Sequence, residues 1–212
     1  MCKITLISTV HKETGKCNSD ELHKIIETIN PEVIFLEARE EDYTEYDRTN
    51  FSQFGVFKKS LELRTIQTYS QNHTFEYVPV LDVELSDEFD TLIRIVSEDE
   101  GYKSLFDNYN QLEMEGGFEF LNSKESILLQ EEMRELGNRI ISDEIFNQKV
   151  NASTDEYENS MIRNIYTFSK EKSFSTAIFM CGAAHRKSIV ERIAEYEITS
   201  KITLNWTFYN DI

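Results

Sequence analysis

Strand, helix and strand follow one another within residues 3–37, which read KITLISTVHKETGKCNSDELHKIIETINPEVIFLE. Residues 3–9 are short and rich in β-branched side chains, which predicts a first strand. Apolar side chains then recur at helical spacing, at Leu22, Ile25, Ile26 and Ile29. Pro31 ends this helix, and residues 32–36, of which all but Glu32 are apolar, predict a second, buried strand. Two strands joined by a helix are typical of a parallel pair.

The same alternation of strands and helices continues along the chain. Three further strands are predicted at residues 75–81, 174–181 and 201–208, and Pro79 favours an edge position or a bulge in the first of them. A surface loop is predicted at 40–50, and helices at 51–71 and around 189–196. Residues 86–172 are helical in pattern, interrupted at Gly116-Gly117, and form a helical insertion or lid. Within them, apolar residues keep a helical spacing from Ile127 to Ile145. We therefore predict one α/β domain over residues 1–212, with a mainly parallel sheet flanked by helices.

Composition and charge exclude several classes of partner. Acidic residues number 39 and basic residues 22 among 212, a formal net charge of −17, which repels nucleic acid and anionic membrane surfaces. No apolar run approaches the roughly 18 residues that span a bilayer. The three cysteines are odd in number and form no CxxC pair, so neither a disulfide framework nor a structural zinc site is indicated. A cytoplasmic location is expected, and the oligomeric state stays open.

Four side chains that can bind ligands follow predicted strands. His11, Glu37, Asp82 and His185 each lie within a few residues of a strand's carboxyl end. In open parallel sheets these ends form one rim, and ligands bind in the crevice there. We therefore expect His11, Glu37 and His185 to approach one point, close enough to share an ion or a water.

His185 belongs to Gly182-Ala183-Ala184-His185, between a strand and a helix that begins near Arg186. The positive end of a helix dipole disfavours an imidazolium, so the sequence predicts a neutral ring at physiological pH. A neutral imidazole suits a metal ligand or a general base. The alternative is a histidine that caps the helix or packs against it.

The other candidates also have structural alternatives. Glu37 ends a buried strand and needs a partner, either a cation or a salt bridge with Arg39 or Arg163. His11 could be structural, and Asp82 could begin an acidic loop that caps the next helix. By its helical pattern Arg163 is predicted to be exposed.

The remaining cysteines and histidines show no arrangement that predicts a site. Cys181 is predicted in a core strand, and Cys17, His23 and His73 at the surface. GxGxxG, Walker A, HExxH and GxSxG motifs do not occur, which argues against dinucleotide or P-loop phosphate binding, zincins and the α/β-hydrolase mechanism.

The order of these motifs resembles a known group of families. Ser8-Thr9-Val10-His11, a helix, and a strand leading to Glu37 resemble the G-T-x-H opening of the TraB/PrgY/TIKI families, with Ser8 in place of the usual glycine. These families share a superfamily with erythromycin esterases and ChaN-like proteins. Arg163-Asn164, a strand, and then Gly182-Ala183-Ala184-His185 repeat the family's Arg-Asn and G-x-x-H order near the C-terminus. The resemblance covers residues 3–40 and 160–193.

The resemblance favours a metal-dependent hydrolase of an amide or ester bond, acting on a peptide or a small molecule, over the other activities in this superfamily. TIKI-like members are metal-dependent proteases, which implies a divalent ion (Zn, Mn, Co or Fe) held by His11, Glu37 and His185. Asp82 is an alternative ligand. Arg163 would then hold an anionic group or stabilise the oxyanion. Erythromycin esterases imply a metal-free enzyme with histidine as general base. ChaN-like and TraB/PrgY proteins imply a non-catalytic protein that binds haem or a peptide.

Overall fold

A computed structural model describes residues 2–39 and 60–210. Within these ranges five parallel strands form one sheet, and the predicted α/β class is confirmed. The strands are β1 (Lys3–Thr9), β2 (Val33–Arg39), β3 (Glu76–Leu81), β4 (Thr176–Gly182) and β5 (Asn205–Phe208). Their order across the sheet is β3-β2-β4-β1-β5. The edge position predicted from Pro79 is confirmed, because β3 is an outer strand.

Helices occupy the central part of the chain, as predicted. In the described ranges they are α1 (Ser19–Ile29), α2 (Leu61–Ser70), α3 (Asp87–Val96), α4 (Glu100–Leu121), α5 (Lys124–Ile140), α6 (Glu144–Glu171) and α7 (Arg186–Thr199). No strand interrupts residues 86–172, all of which are described. None of the helices in the described ranges is long and apolar enough to cross a membrane. The predicted loop at 40–50 and the first part of the predicted helix at 51–71 lie outside the described residues.

Helices cover both faces of the sheet. Successive side chains of a strand point to opposite faces, and both sets are largely apolar. One face buries Ile7, Ile34, Leu36, Ile178 and Met180 against α1, α2, α4 and α5. The other buries Ile4, Leu6, Val33, Phe35, Phe179 and Cys181 against α6 and α7. The central helices 86–172 therefore contribute to both layers of the core.

The direction in which successive strands are added across the sheet reverses between β1 and β4. The connection from β1 to β2 passes over the first face through α1, and the connection from β4 to β5 passes over the second face through α7. Neighbouring strands whose crossovers leave to opposite faces open a crevice at their carboxyl ends. The carboxyl ends of β1, β2 and β4 meet at this place.

Some element boundaries differ from the predicted ones. The apolar repeat that the sequence carries through residues 127–145 is broken between α5 and α6, and Leu128 and Ile145 are 68% and 70% exposed. β5 begins at Asn205 rather than at Lys201. β2 continues to Arg39, so Glu37 lies within the strand rather than after it.

Cys17 was predicted at the surface and is fully buried. The segment after β1 packs on a kink in α4, where Lys16 N–H donates to the Met114 carbonyl at 2.9 Å. The kink lies at Gly117, which has a φ of 61° inside α4. His23, also predicted at the surface, is only 20% exposed, and its ring meets the edge of Tyr69. Contacts between distant segments bury both side chains.

We expect Gly137→Ala to stabilise the protein and Gly117→Ala to destabilise it. A Cβ at Gly137 would lie 3.6 Å from Val96 Cγ1, an ordinary contact, so the helix gains about 0.5–1 kcal/mol. A Cβ at Gly117 would lie 2.8 Å from Lys16 Cβ. The backbone there has φ 61° and ψ −145°, a conformation open essentially to glycine, so the substitution costs about 1–3 kcal/mol from backbone conformation alone. Equilibrium urea unfolding measures both. Equal free energies of unfolding for the two variants would contradict the need for glycine at the kink.

Candidate functional site

The Glu37 side chain bonds to β4 just beyond the last backbone pair between β2 and β4. The last backbone pair between β2 and β4 is Leu36 with Met180, and the register between β2 and β3 shifts after Leu36. One residue further on, Glu37 Oε2 accepts the Gly182 N–H at 2.6 Å, and Oε1 accepts the Tyr157 hydroxyl at 2.8 Å. The side chain is 7% exposed. Two neutral donors therefore fix both oxygens of a buried carboxylate.

His185 lies between two buried carboxylates. It ends a 3-10 turn, Ala183–His185, that joins β4 to α7. Its Nδ1 is 2.8 Å from Glu158 Oε1, and its Nε2 is 3.5 Å from Glu37 Oε1. The Tyr157 ring lies beside the imidazole, with 5.4 Å between ring centroids. The convergence predicted for Glu37 and His185 is therefore present.

Two carboxylates oppose the neutral state that the helix terminus predicts for His185. Burial lowers the pKa of His185, but the hydrogen bond with Glu158 and the charges of Glu37 and Glu158 outweigh burial and raise it above 6.5. Hydrogen bonding to His185 likewise keeps the pKa of Glu158 below its ordinary value, against the opposing effect of burial.

Glu158 and Tyr157 are site residues that the sequence reasoning missed. Both lie on α6, and the Glu158 side chain is only 2% exposed. Glu158 occupies the helical stripe that continues through Met161, Ile162 and Ile165, all fully buried. An acidic residue on an apolar stripe is a detectable signal, because a buried carboxylate requires a partner. A further partner is Arg192, whose Nη2 lies 3.6 Å from Glu158 Oε2.

His11 forms a second histidine–carboxylate pair on the same rim. Its Nδ1 is 3.2 Å from Oε1 of Glu62, whose side chain is 3% exposed. Glu62 also accepts hydrogen bonds from the hydroxyls of Thr9, at 2.9 Å, and Ser60, at 2.5 Å. The Glu62 hydrogen bond raises the pKa of His11 to about 9, against a smaller effect of burial. The His11 ring itself is 69% exposed, and water screens this charge.

His11 and Glu37 border one small cavity. Its volume is about 210 Å³, and Glu62 and Cys181 also line it. The Cys181 thiol is fully buried in β4, as predicted, and burial raises its pKa well above the ordinary value. His11 therefore shares a cavity with Glu37, whereas His185 contacts Glu37 directly.

Asp82 and Arg163 pair with each other. Arg163 Nη2 donates to both carboxylate oxygens of Asp82, at 3.0 and 2.9 Å, and Nη1 donates to Glu156 at 3.0 Å. Both side chains are partly exposed, Arg163 by 39% and Asp82 by 47%. Among the described residues, no hydrogen bond or ion pair joins this cluster to Glu37 or His185. The next helix is capped by Ser86 rather than by Asp82.

A divalent ion would find two suitable donors here. The 3.5 Å between His185 Nε2 and Glu37 Oε1 is close to the roughly 3.3–3.5 Å that separates two ligands of a tetrahedral zinc ion. Each candidate histidine also has its Nδ1 on a buried glutamate, an arrangement typical of metal-bound histidines. However, the described residues contain no group of three His, Cys, Asp or Glu side chains that could hold an ion. The donor set is one ligand short of a three-residue site.

Comparison with known proteins adds no family assignment. No protein-family model, curated protein or solved structure matches the chain. The resemblance to the TraB/PrgY/TIKI families therefore stays a prediction from its motifs.

Proposed function

We propose that the protein hydrolyses an amide or ester bond and that His185 is its general base. The observation that supports this proposal is the 2.8 Å contact between His185 Nδ1 and the buried Glu158. A carboxylate at Nδ1 fixes the tautomer and leaves the Nε2 lone pair to accept a proton. Glu158 thus orients the ring and stabilises the imidazolium when it forms.

The reaction proceeds in two proton transfers. His185 Nε2 takes a proton from a water, and the water oxygen attacks the substrate carbonyl carbon. The imidazolium then returns the proton to the departing amine or alcohol as the C–N or C–O bond breaks. We assign the stabilisation of the oxyanion to Arg134 in place of Arg163, because Arg134 lines the same cavity as His185 and Glu158.

A metal-dependent hydrolase is the second candidate. The spacing of His185 Nε2 and Glu37 Oε1 favours it, since these two atoms could share an ion. His11 would be a third ligand if its ring moved toward the cavity that it shares with Glu37. Such an ion would lower the pKa of a bound water and so supply the nucleophile.

We also propose membership of the TraB/PrgY/TIKI superfamily and a cytoplasmic location. Two motif positions of the resemblance, Glu37 and His185, are neighbours in the structure. All three cysteines, Cys2, Cys17 and Cys181, are free thiols, which suits a reducing compartment. The net charge of −17 supports a peptide or small-molecule substrate over nucleic acid or a membrane surface.

A hydrolysis screen of the full chain tests these proposals. Purified protein is assayed on p-nitrophenyl esters and on peptide amides, with and without a chelator, and bound metal is measured in the same sample. We expect hydrolysis that survives chelation. Loss of activity on chelation, restored by a divalent ion, would support the metal-dependent candidate instead. No hydrolysis under any divalent supplement would leave the haem- or peptide-binding alternative.

A further inference from the structure

A cavity of about 530 Å³ opens beside His185, between α3, α5 and α6. Its volume lies within the roughly 300–1,000 Å³ of small-molecule sites. One end is polar and is formed by Arg134, Glu158, His185 and Ser188. Part of the remaining lining is apolar, with Phe89, Leu92, Ile93, Met133 and Val150, and part is polar, with Gln130, Asn138, Asn151 and Thr154. The cavity therefore has a polar end beside His185 and an apolar wall.

One face of helix α3 is apolar, lines this cavity and is only partly covered by other residues. Of its ten residues, only Val96 is fully buried. Phe89 and Leu92 are half-buried, and Ile93 is 44% exposed, although all three line the cavity wall. An amphipathic helix normally buries such a stripe against the core. Here the apolar stripe borders open space that an apolar group can fill.

Most of the charges at the polar end are paired. Glu158 contacts His185, Asp155 accepts a hydrogen bond from Arg192 at 2.9 Å, and Arg134 lies 3.1 Å from a carboxylate oxygen of Glu131. A charged ligand group would have to displace one of these partners. An uncharged carbonyl group needs only a hydrogen bond, which suits the polar end better.

We infer that this cavity binds the apolar part of an uncharged ester or amide substrate, with the carbonyl group at the His185 end. The inference rests on the proposed function for the identity of the reacting bond. The apolar part lies along Leu92 and Ile93 of α3 and faces Met133 of α5. Affinity should therefore rise with the length of the apolar chain, because each methylene leaves water for this wall.

Ketones test the cavity without any reaction, because they carry the carbonyl group and are not hydrolysed. Binding of 2-octanone and 2-butanone to the full chain is measured by isothermal titration calorimetry. The two differ by four methylenes, which corresponds to tighter binding of 2-octanone by on the order of 100-fold. Equal affinities, or no binding of 2-octanone, would overturn the inference.

Two substitutions on one helix locate the binding. Ile93→Asp places a charge on the cavity wall and should weaken 2-octanone binding at least tenfold. Ile95→Asp is the matched control, because Ile95 is 37% exposed on the same helix and is not among the described residues that line the cavity. Thermal unfolding confirms that both variants fold. Equal binding by the two variants would overturn the inference.

Hydrolysis separates a failure of the inference from a failure of the proposed function. The wild-type chain is assayed on p-nitrophenyl butyrate and p-nitrophenyl octanoate. Hydrolysis of both esters with equal kcat/KM would contradict the cavity inference alone. Tight binding of 2-octanone without hydrolysis of any ester or amide would contradict the proposed function and support the cavity.

Discussion

His185→Ala should lower kcat/KM for hydrolysis by about 10²–10⁴-fold, the contribution of a positioned general base. The ring is 13% exposed and lies at the rim of the sheet, outside the two apolar clusters of the core. The loss should therefore appear in activity while the cooperative unfolding transition is retained. Steady-state kinetics and thermal unfolding of the same purified variant measure the two effects.

Glu158→Gln should change the pH profile as well as the rate. Glu158 raises the pKa of His185, and only the neutral ring acts as a base, so wild-type activity should rise with pH through a pKa above 6.5. Removing the Glu158 charge should lower this pKa and move the acid limb of the profile to lower pH, while kcat falls. Protonated His185 also stabilises the fold. This stabilisation is complete below pH 6.5 and is lost as pH rises through the folded-state pKa.

His23→Ala is the matched control for these two variants. His23 lies on α1 and pairs with Glu27 at 3.1 Å. Its removal should leave both kcat/KM and the pH profile unchanged. If His185→Ala folds and keeps wild-type kcat/KM, the assignment of the base is wrong. If it instead loses a bound metal that the wild-type chain carries, the metal-dependent candidate is favoured.

Asn122→Ala should destabilise the protein by about 3 kcal/mol, because two buried backbone groups lose their partner. β5 pairs with β1 only as far as Leu6. Beyond that point the Asn122 side chain forms hydrogen bonds with the backbone of β1. Its Oδ1 accepts the Ser8 N–H at 2.7 Å, and its Nδ2 donates to the Ser8 carbonyl at 3.1 Å. Oδ1 also accepts a hydrogen bond from the buried Arg186 at 2.8 Å.

Asn108→Ala, on the helix that ends immediately before Asn122, provides the comparison for Asn122→Ala. Asn108 is exposed, and its replacement should change stability by less than about 0.5 kcal/mol. Equilibrium urea unfolding of both variants gives the difference. Similar stabilities would show that the bonds to Ser8 and Arg186 contribute little.

Periodicity predicted the sheet because the strands are short, apolar and separated by helices. β1 is found at residues 3–9, as predicted, since both of its faces are buried against helices. The placement of Glu37 and His185 on one rim followed from the rule that parallel strands end together. The break between α5 and α6 was not predictable from apolar spacing, since Leu128 and Ile145 fit the repeat and yet lie exposed.

The partners in the site required knowledge of contacts between distant segments. Glu158 is 27 residues from His185 in the chain, and nothing in the G-x-x-H motif indicates it. The charge state of His185 was therefore predicted from the local helix terminus alone, without the two carboxylates that raise its pKa. Asp82 follows β3 and Arg163 lies on α6, as the sequence predicted. Their mutual salt bridge depends on where α6 crosses β3.

The strand order constrains when the protein can fold during synthesis. β1 lies between β4 and β5, and its pairing with β4 joins residues 3–9 to residues 176–182. Before β4 is made, the only neighbouring pair among the five described strands is β2 with β3. A ribosome must therefore complete most of the chain before the centre of the sheet can form. During that time the apolar β1 segment is without its strand partners, and the nascent chain depends on its early helices or on chaperones to keep that segment from aggregating.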